Sequence, residues 1–172
     1  ARLPHWQNTA LFFAGRTGRN LQGEASNIIQ VCRSIDRVIP DTYVRRGANL
    51  ALDIAFDRAF LADRWLQNSV IELALEVLDS PFPYYRLPRL TSTLLEMPEE
   101  DIIDHIVPIL HRKLESLSDD SVGNAVVVLS ALDPYDSRLP PALQRMVLGP
   151  AKSRQAATVR LLLAAQRLRS AQ

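Results

Sequence analysis

The chain has 172 residues, with 20 Lys+Arg against 19 Asp+Glu and 47% apolar residues, a composition that suits one globular domain and excludes wholesale disorder. Its single cysteine, Cys32, excludes an intrachain disulfide framework and a multi-cysteine zinc site. No apolar run approaches the roughly 20 residues that span a bilayer, and among the basic residues only Lys113 and Lys152 are not Arg.

Residues 1–20 read as an N-terminal arm ahead of a single helical domain over 21–172. The apolar patch from Ala10 to Ala14 is too short for a signal-peptide core. This segment is expected either as what is left once a targeting sequence is removed or as an arbitrary boundary. Within it, GRTGRN (Gly15 to Asn20) sets Arg16 and Arg19 among glycines. Backbone N–H groups and guanidinium forks in such a loop suit phosphate, whereas a solvated arm needs no ligand at all.

Glycine is scarce and proline sits mostly between periodic segments, the punctuation of helices joined by short turns. A first helix is expected over 21–39, with Ile28, Val31, Cys32, Ile35 and Ile39 on one stripe. Pro40 ends it, and Asp41 is the expected N-cap of a second helix carrying Val44, Leu52, Phe56 and Phe60. A third, opened by Asp63, presents Leu66, Val70, Leu73, Ala74, Val77 and Leu78, and no Gly or Pro separates it from the second. Trp65 at its start is expected to pack.

The stretch SPFPYYRLP, three prolines in nine residues, predicts a break and a possible bend at 80–88. A short helix follows over 87–96. Pro98 suits the first position of the next, with Glu99, Glu100 and Asp101 favourable at its positive end. That helix should reach about residue 117, with a kink at Pro108. Ser118 caps a helix over 119–132, and Asp136 or Ser137 opens one to Leu148, which Gly149 and Pro150 end. A last helix over 151–170 carries Ala156, Val159, Leu162 and Leu163 on one side. No strand is expected. The fold is all-α, an irregular α-solenoid of antiparallel helix pairs with about seven to eight helices.

Two segments echo each other without gaps: SNIIQVCRSID (Ser26 to Asp36) and GNAVVVLSALD (Gly123 to Asp133). Asn27 pairs with Asn124, Val31 with Val128 and Asp36 with Asp133, and the apolar positions coincide. Echoes of this kind mark helical-repeat arrays, although two amphipathic helices with similar faces give the same pattern. The unit SDDSVGNAVVVLSALDPYDSRLPPALQRMVL (Ser118 to Leu148) resembles the octotricopeptide and heptatricopeptide repeats and the FAST-kinase-like helical arrays of organellar RNA-associated proteins. It departs from them where an aromatic often follows the Asn; here there is Val126 to Val128. The resemblance implies mitochondrial or plastid RNA metabolism, or membership of an organellar ribosome.

The near-neutral charge is a cancellation. Residues 1–46 hold seven Arg and three acids, residues 47–120 six basic and fourteen acidic residues, and residues 121–172 seven basic and two acidic. Two basic ends flank an acidic middle, and basic ends meet phosphate through long-range attraction and counterion release. The expected contact residues for RNA or a partner are Arg16, Arg19, Arg45, Arg46, Lys152, Arg154, Arg160 and Arg167. Trp6, Trp65, Tyr84 and Tyr85 are too few for an aromatic ladder on bases.

Chemistry is sparse. The sequence holds no GxSxG, HExxH or P-loop. Asp101, Asp104 and His105 cluster on one helix, yet a zinc site wants at least three convergent ligands, and a solvated acidic helix start explains them. His111 is expected to point elsewhere. Cys32, on an apolar stripe, reads as a core residue. No catalytic residue, cofactor or metal is expected. The reading is a non-catalytic helical scaffold of a large assembly, a mitochondrial ribosome or related organellar ribonucleoprotein, contacting RNA phosphates and neighbouring proteins. The alternatives are a protein-only adaptor or accessory subunit of a mitochondrial membrane complex, and a small helical enzyme around Asp101, Asp104 and His105.

Overall fold

The computed structural model describes residues 22–37, 44–57, 64–80 and 86–148, with the backbone alone at 22–26. All regular structure among them is helical: α1 (Gln22–Ile35), α2 (Arg46–Phe56), α3 (Arg64–Ala74), a 3-10 segment (Leu75–Asp79), α4 (Leu87–Leu95), α5 (Glu99–Asp101), a π-helical turn (Ile102–Ile106), α6 (Val107–Leu114), α7 (Asp119–Leu132) and α8 (Leu139–Leu148). No described helix is long and apolar enough to cross a membrane. The chain divides into two compact units between Val77 and Leu78.

In the first unit α2 packs against α1 and α3, which also touch each other. The core is built from Ile28, Ile29 and Cys32 of α1, Ala48, Ala51, Leu52 and Ile54 of α2, and Leu66, Val70 and Ile71 of α3. Gly47 brings α1 and α2 into backbone contact: a Cβ there would lie 1.8 Å from the Cys32 carbonyl oxygen. This closeness lets one side chain of α1 serve the start of α2. The buried carboxylate of Asp36 accepts from the N–H of Gly47 at 2.7 Å and of Ala48 at 3.0 Å. Two N–H groups that a helix start leaves unpaired are thereby satisfied by a charged acceptor. The residue flanking the helix, Arg45, is left-handed at φ 50° and gives no side-chain cap, a conformation that costs a non-glycine residue about 1–2 kcal/mol. Asp41, expected to cap this helix, lies outside the described residues, and the capping carboxylate is Asp36.

In the second unit α7 is the centre, packed against α4, α6 and α8. Every residue from Ser121 to Leu129 is buried, so α7 is enclosed on all sides over about two and a half turns. Ser118 is the N-cap, its side chain accepting from the Ser121 N–H at 3.4 Å, and Asp119 and Asp120 fill the first turn, where negative charge suits the helix dipole. Pro98 flanks its helix at the N-cap instead of occupying the first helical position.

The rod from Glu99 to Leu114 holds a change of period. Its buried positions are Asp101, Ile106, Leu110 and Leu114, spaced five, four and four. A spacing of five does not share one face of an α-helix at 3.6 residues per turn, and the π turn absorbs the extra residue. Pro108 follows directly. It lacks the N–H that would bond the Asp104 carbonyl, and its ring crowds that oxygen. The kink expected at Pro108 is therefore met upstream, by widening the helix over 102–106.

The echoed segments share helical phase but not polar roles. Ile28 and Ala125, Ile29 and Val126, and Cys32 and Leu129 are all buried pairs. The three identities sit in opposite surroundings: Asn27 and Val31 are exposed where Asn124 and Val128 are buried, and Asp36 is buried where Asp133 is exposed.

Candidate contact surfaces

Of the eight basic residues expected to make contacts, Arg16, Arg19, Lys152, Arg154, Arg160 and Arg167 lie outside the described residues. The other two stand together at the start of α2. Arg46 is exposed, whereas half-buried Arg45 donates to the Glu76 carboxylate at 3.3 Å. Arg45 is thus engaged inside its own unit, joining the start of α2 to the 3-10 segment after α3. Two further exposed arginines are Arg33, in the last turn of α1, and Arg37, in the turn that follows the helix.

The Asp101, Asp104 and His105 cluster is not brought together. Asp101 is buried, while Asp104 and His105 are exposed on the π turn, whose wider pitch takes His105 out of the one-turn relation to Asp101. Among the described residues no three His, Cys, Asp or Glu side chains are placed to hold a metal ion. Cys32 is buried, and burial, helped by the Asp36 charge, pushes its thiol up to about 11. At neutral pH it is a protonated core side chain.

His111 has a partner that local spacing does not reveal. Its Nε2 lies 2.6 Å from Asp136 Oδ2, and because a carboxylate only accepts, Nε2 carries the hydrogen. Asp136 Oδ1 accepts from the Arg138 N–H at 2.8 Å. Burial pushes the Asp136 pKa up, but the hydrogen bonds from His111 and Arg138, with their charge, outweigh it and hold the carboxyl below its ordinary value. The folded value is below the unfolded one of about 3.9, so this carboxylate stabilises the fold above that pH and the contribution is lost as pH falls through the folded value. A carboxyl-carbon NMR titration should place its midpoint below about 3.9, and Asp136→Asn should cost about 1 kcal/mol at pH 7. A midpoint above the unfolded value contradicts the assignment.

A denser polar cluster ties α7 to the chain before the proline-rich stretch. Asp79 Oδ1 accepts from Ser121 Oγ at 2.8 Å, and its Oδ2 accepts from Lys113 Nζ at 2.5 Å. Asn124, fully buried, donates through Nδ2 to the carbonyls of Leu78 at 2.8 Å and Ser80 at 3.2 Å. Ser, Lys and Asp in contact invite a catalytic reading. Yet Ser121 is fully buried and its hydroxyl hydrogen is given to Asp79, which fits a clasp and not an attacking nucleophile.

Between the end of α6 and α8 lies an open cleft of about 410 Å³, floored by Leu114 and Ala142 and rimmed by Arg138 and Arg145. Both guanidiniums are used within the unit. Arg138 meets Glu115 at 3.1 Å, and Arg145 donates to the carbonyls of Leu114 and Ser116, satisfying oxygens that the end of α6 leaves unpaired. Two prolines, Pro140 and Pro141, open α8 and remove N–H donors that an anion at this helix start would use.

Several large apolar side chains face outward. Trp65 is 67% exposed in the first turn of α3, contrary to its expected packing role, and Leu117, Tyr135 and Leu148 are exposed at 103%, 93% and 77%. No family model matches the chain, and no curated protein or solved structure matches it with significance.

Proposed function

We propose that this chain is a non-catalytic helical scaffold in a large assembly, an organellar ribonucleoprotein such as a mitochondrial ribosome, in which it holds RNA phosphates and neighbouring proteins. Its helix pairs would form an irregular α-solenoid in that setting. The observation that carries the reading is the outward display of large apolar side chains, Trp65, Leu117, Tyr135 and Leu148, on an all-helical framework. Exposed aromatic and aliphatic groups of this size are what a protein neighbour covers. The buried polar groups support it further, because Asp36, Ser121 and Asn124 are spent on joining helices. The basic ends of the sequence supply the phosphate side of the reading.

The test is binding of the full chain to labelled single-stranded RNA at about 50 mM and 200 mM salt. Counterion release predicts binding that weakens steeply between the two. Failure to bind at the lower salt removes direct RNA contact and leaves the protein-only adaptor as the surviving reading.

A further inference from the structure

The cleft between α6 and α8 continues past the residues that floor it. On α8 it is walled by Pro141 and Arg145. Leu148 follows them at i, i+4 and i+7, the spacing that keeps side chains on one helix face. On the opposite side Arg145 donates to the carbonyls of Leu114 and Ser116, which brings Leu117, the next residue, to the same end. Leu117 and Leu148 are the two most exposed aliphatic side chains among the described residues. They stand beside the apolar floor of Leu114 and Ala142, whereas ordinary surface aliphatics are scattered singly.

The charges around this groove do not cancel. Arg138 is matched by Glu115 at 3.1 Å. Arg145 has no carboxylate among the described residues. Its Nη2 is spent on the two carbonyls, which hold the guanidinium in place, and the N–H groups on Nε and Nη1 have no described partner. Asp119 and Asp120, close in sequence, have interactions of their own and lie in the first turn of α7, where the helix dipole offsets them. A phosphate backbone has no use for the apolar floor. A small ligand would stay largely uncovered in an open cleft, since small-molecule sites enclose most of their ligand. A helix laid along α8, apolar face down, covers floor and rim together over about 15 Å.

We propose that this groove receives an amphipathic helix of a partner protein, its apolar face on Leu117, Leu148 and the cleft floor, and an Asp or Glu on Arg145. This rests on the protein-contact side of the reading above and names the chemistry of the neighbour. The incoming apolar face removes water from the guanidinium–carboxylate pair and so strengthens it. A basic helix in the same place meets a like charge, which gives the contact its selectivity.

The experiment selects binders to the full chain from a displayed library of amphipathic helical peptides, with apolar positions fixed at helical spacing and polar positions randomised. Selected peptides should be enriched in Asp and Glu over Lys and Arg. The double variant L117D/L148D should bind them about tenfold more weakly or worse, with circular dichroism and urea midpoint unchanged because both side chains are exposed. Arg145→Gln should weaken the acidic peptides by about tenfold and leave their Gln counterparts nearly unaffected, a split that general loss of structure does not produce. Enrichment of basic peptides overturns the proposal, as does a library that yields no binder. Binding that L117D/L148D leaves unchanged overturns it too, while the scaffold reading stands with its contacts elsewhere. Displacement of the peptides by single-stranded RNA, or by a peptide of residues 151–170, would assign the groove to a phosphate backbone or to this chain's own segment, and either result also overturns it.

Discussion

Gly47→Ala should unfold the first unit or come close to it. The added methyl would sit 1.8 Å from the Cys32 carbonyl oxygen and 3.0 Å from the Asp36 side chain. The near obstacle is backbone, so no rotamer change relieves it, and α1 and α2 must separate. Separation breaks the two hydrogen bonds by which Asp36 caps α2 and opens the packing between α1 and α2. Overpacking a core by one methyl typically costs 1–3 kcal/mol, and the lost cap adds about 1–2 kcal/mol. A total of about 3 kcal/mol or more is a large share of the 5–15 kcal/mol that holds an ordinary domain together. Urea denaturation should show a large fall in midpoint. A midpoint within experimental error of wild type would mean that the helices are not in backbone contact. Asp36→Ala provides a milder companion, removing the cap without the clash.

Asn124→Asp is expected to be the second most damaging change, although it alters almost no volume. The Asn124 amide donates to the carbonyls of Leu78 and Ser80, and its own Oδ1 is buried without a hydrogen-bond partner. A carboxylate in its place would present an oxygen where both carbonyls need a hydrogen, and would bury a charge. Uncompensated buried charges cost about 3–5 kcal/mol. The pH dependence gives a signature that simple misfolding lacks. Burial raises the folded pKa of the new carboxyl above the unfolded value of about 3.9. The variant's deficit is therefore fully developed above the folded pKa, shrinks as pH falls through it, and is least below about pH 4. Chemical denaturation at pH 7 and pH 4 measures this directly. An equal deficit at both values would show that the new carboxyl is not buried in the fold.

These two sites show what the sequence carries and what it leaves out. Helices with a strong local grammar were legible. Ser118, the acids after it and the long apolar run define α7 as Asp119–Leu132, and the proline-led start defines α4 to within a residue. Contacts between distant residues were not. Asp36 meets a helix start eleven residues on, Ser121 meets Asp79 across 42 residues, and His111 meets Asp136 across 25. Periodicity gives the face on which a side chain sits and is silent about the opposite wall. For the same reason Trp65 is expected to pack at its helix start, while its place in the first turn of α3 leaves it in solvent.

The π turn in the second unit works as a one-residue phase insert. Upstream of it the rod buries Asp101, and downstream it buries Ile106, Leu110 and Leu114, with Ile103 left in solvent. Removing a single residue between 102 and 105 would make the buried spacing four throughout, so the segment could close into continuous α-helix with its buried positions still on one face. A deletion between 107 and 113 has no such relief and would turn the two halves against each other by about 100°. Residue count in this rod is thus forgiving at the π turn and strict beyond it, and a one-residue deletion between 102 and 105 should do less harm than the same deletion one turn later.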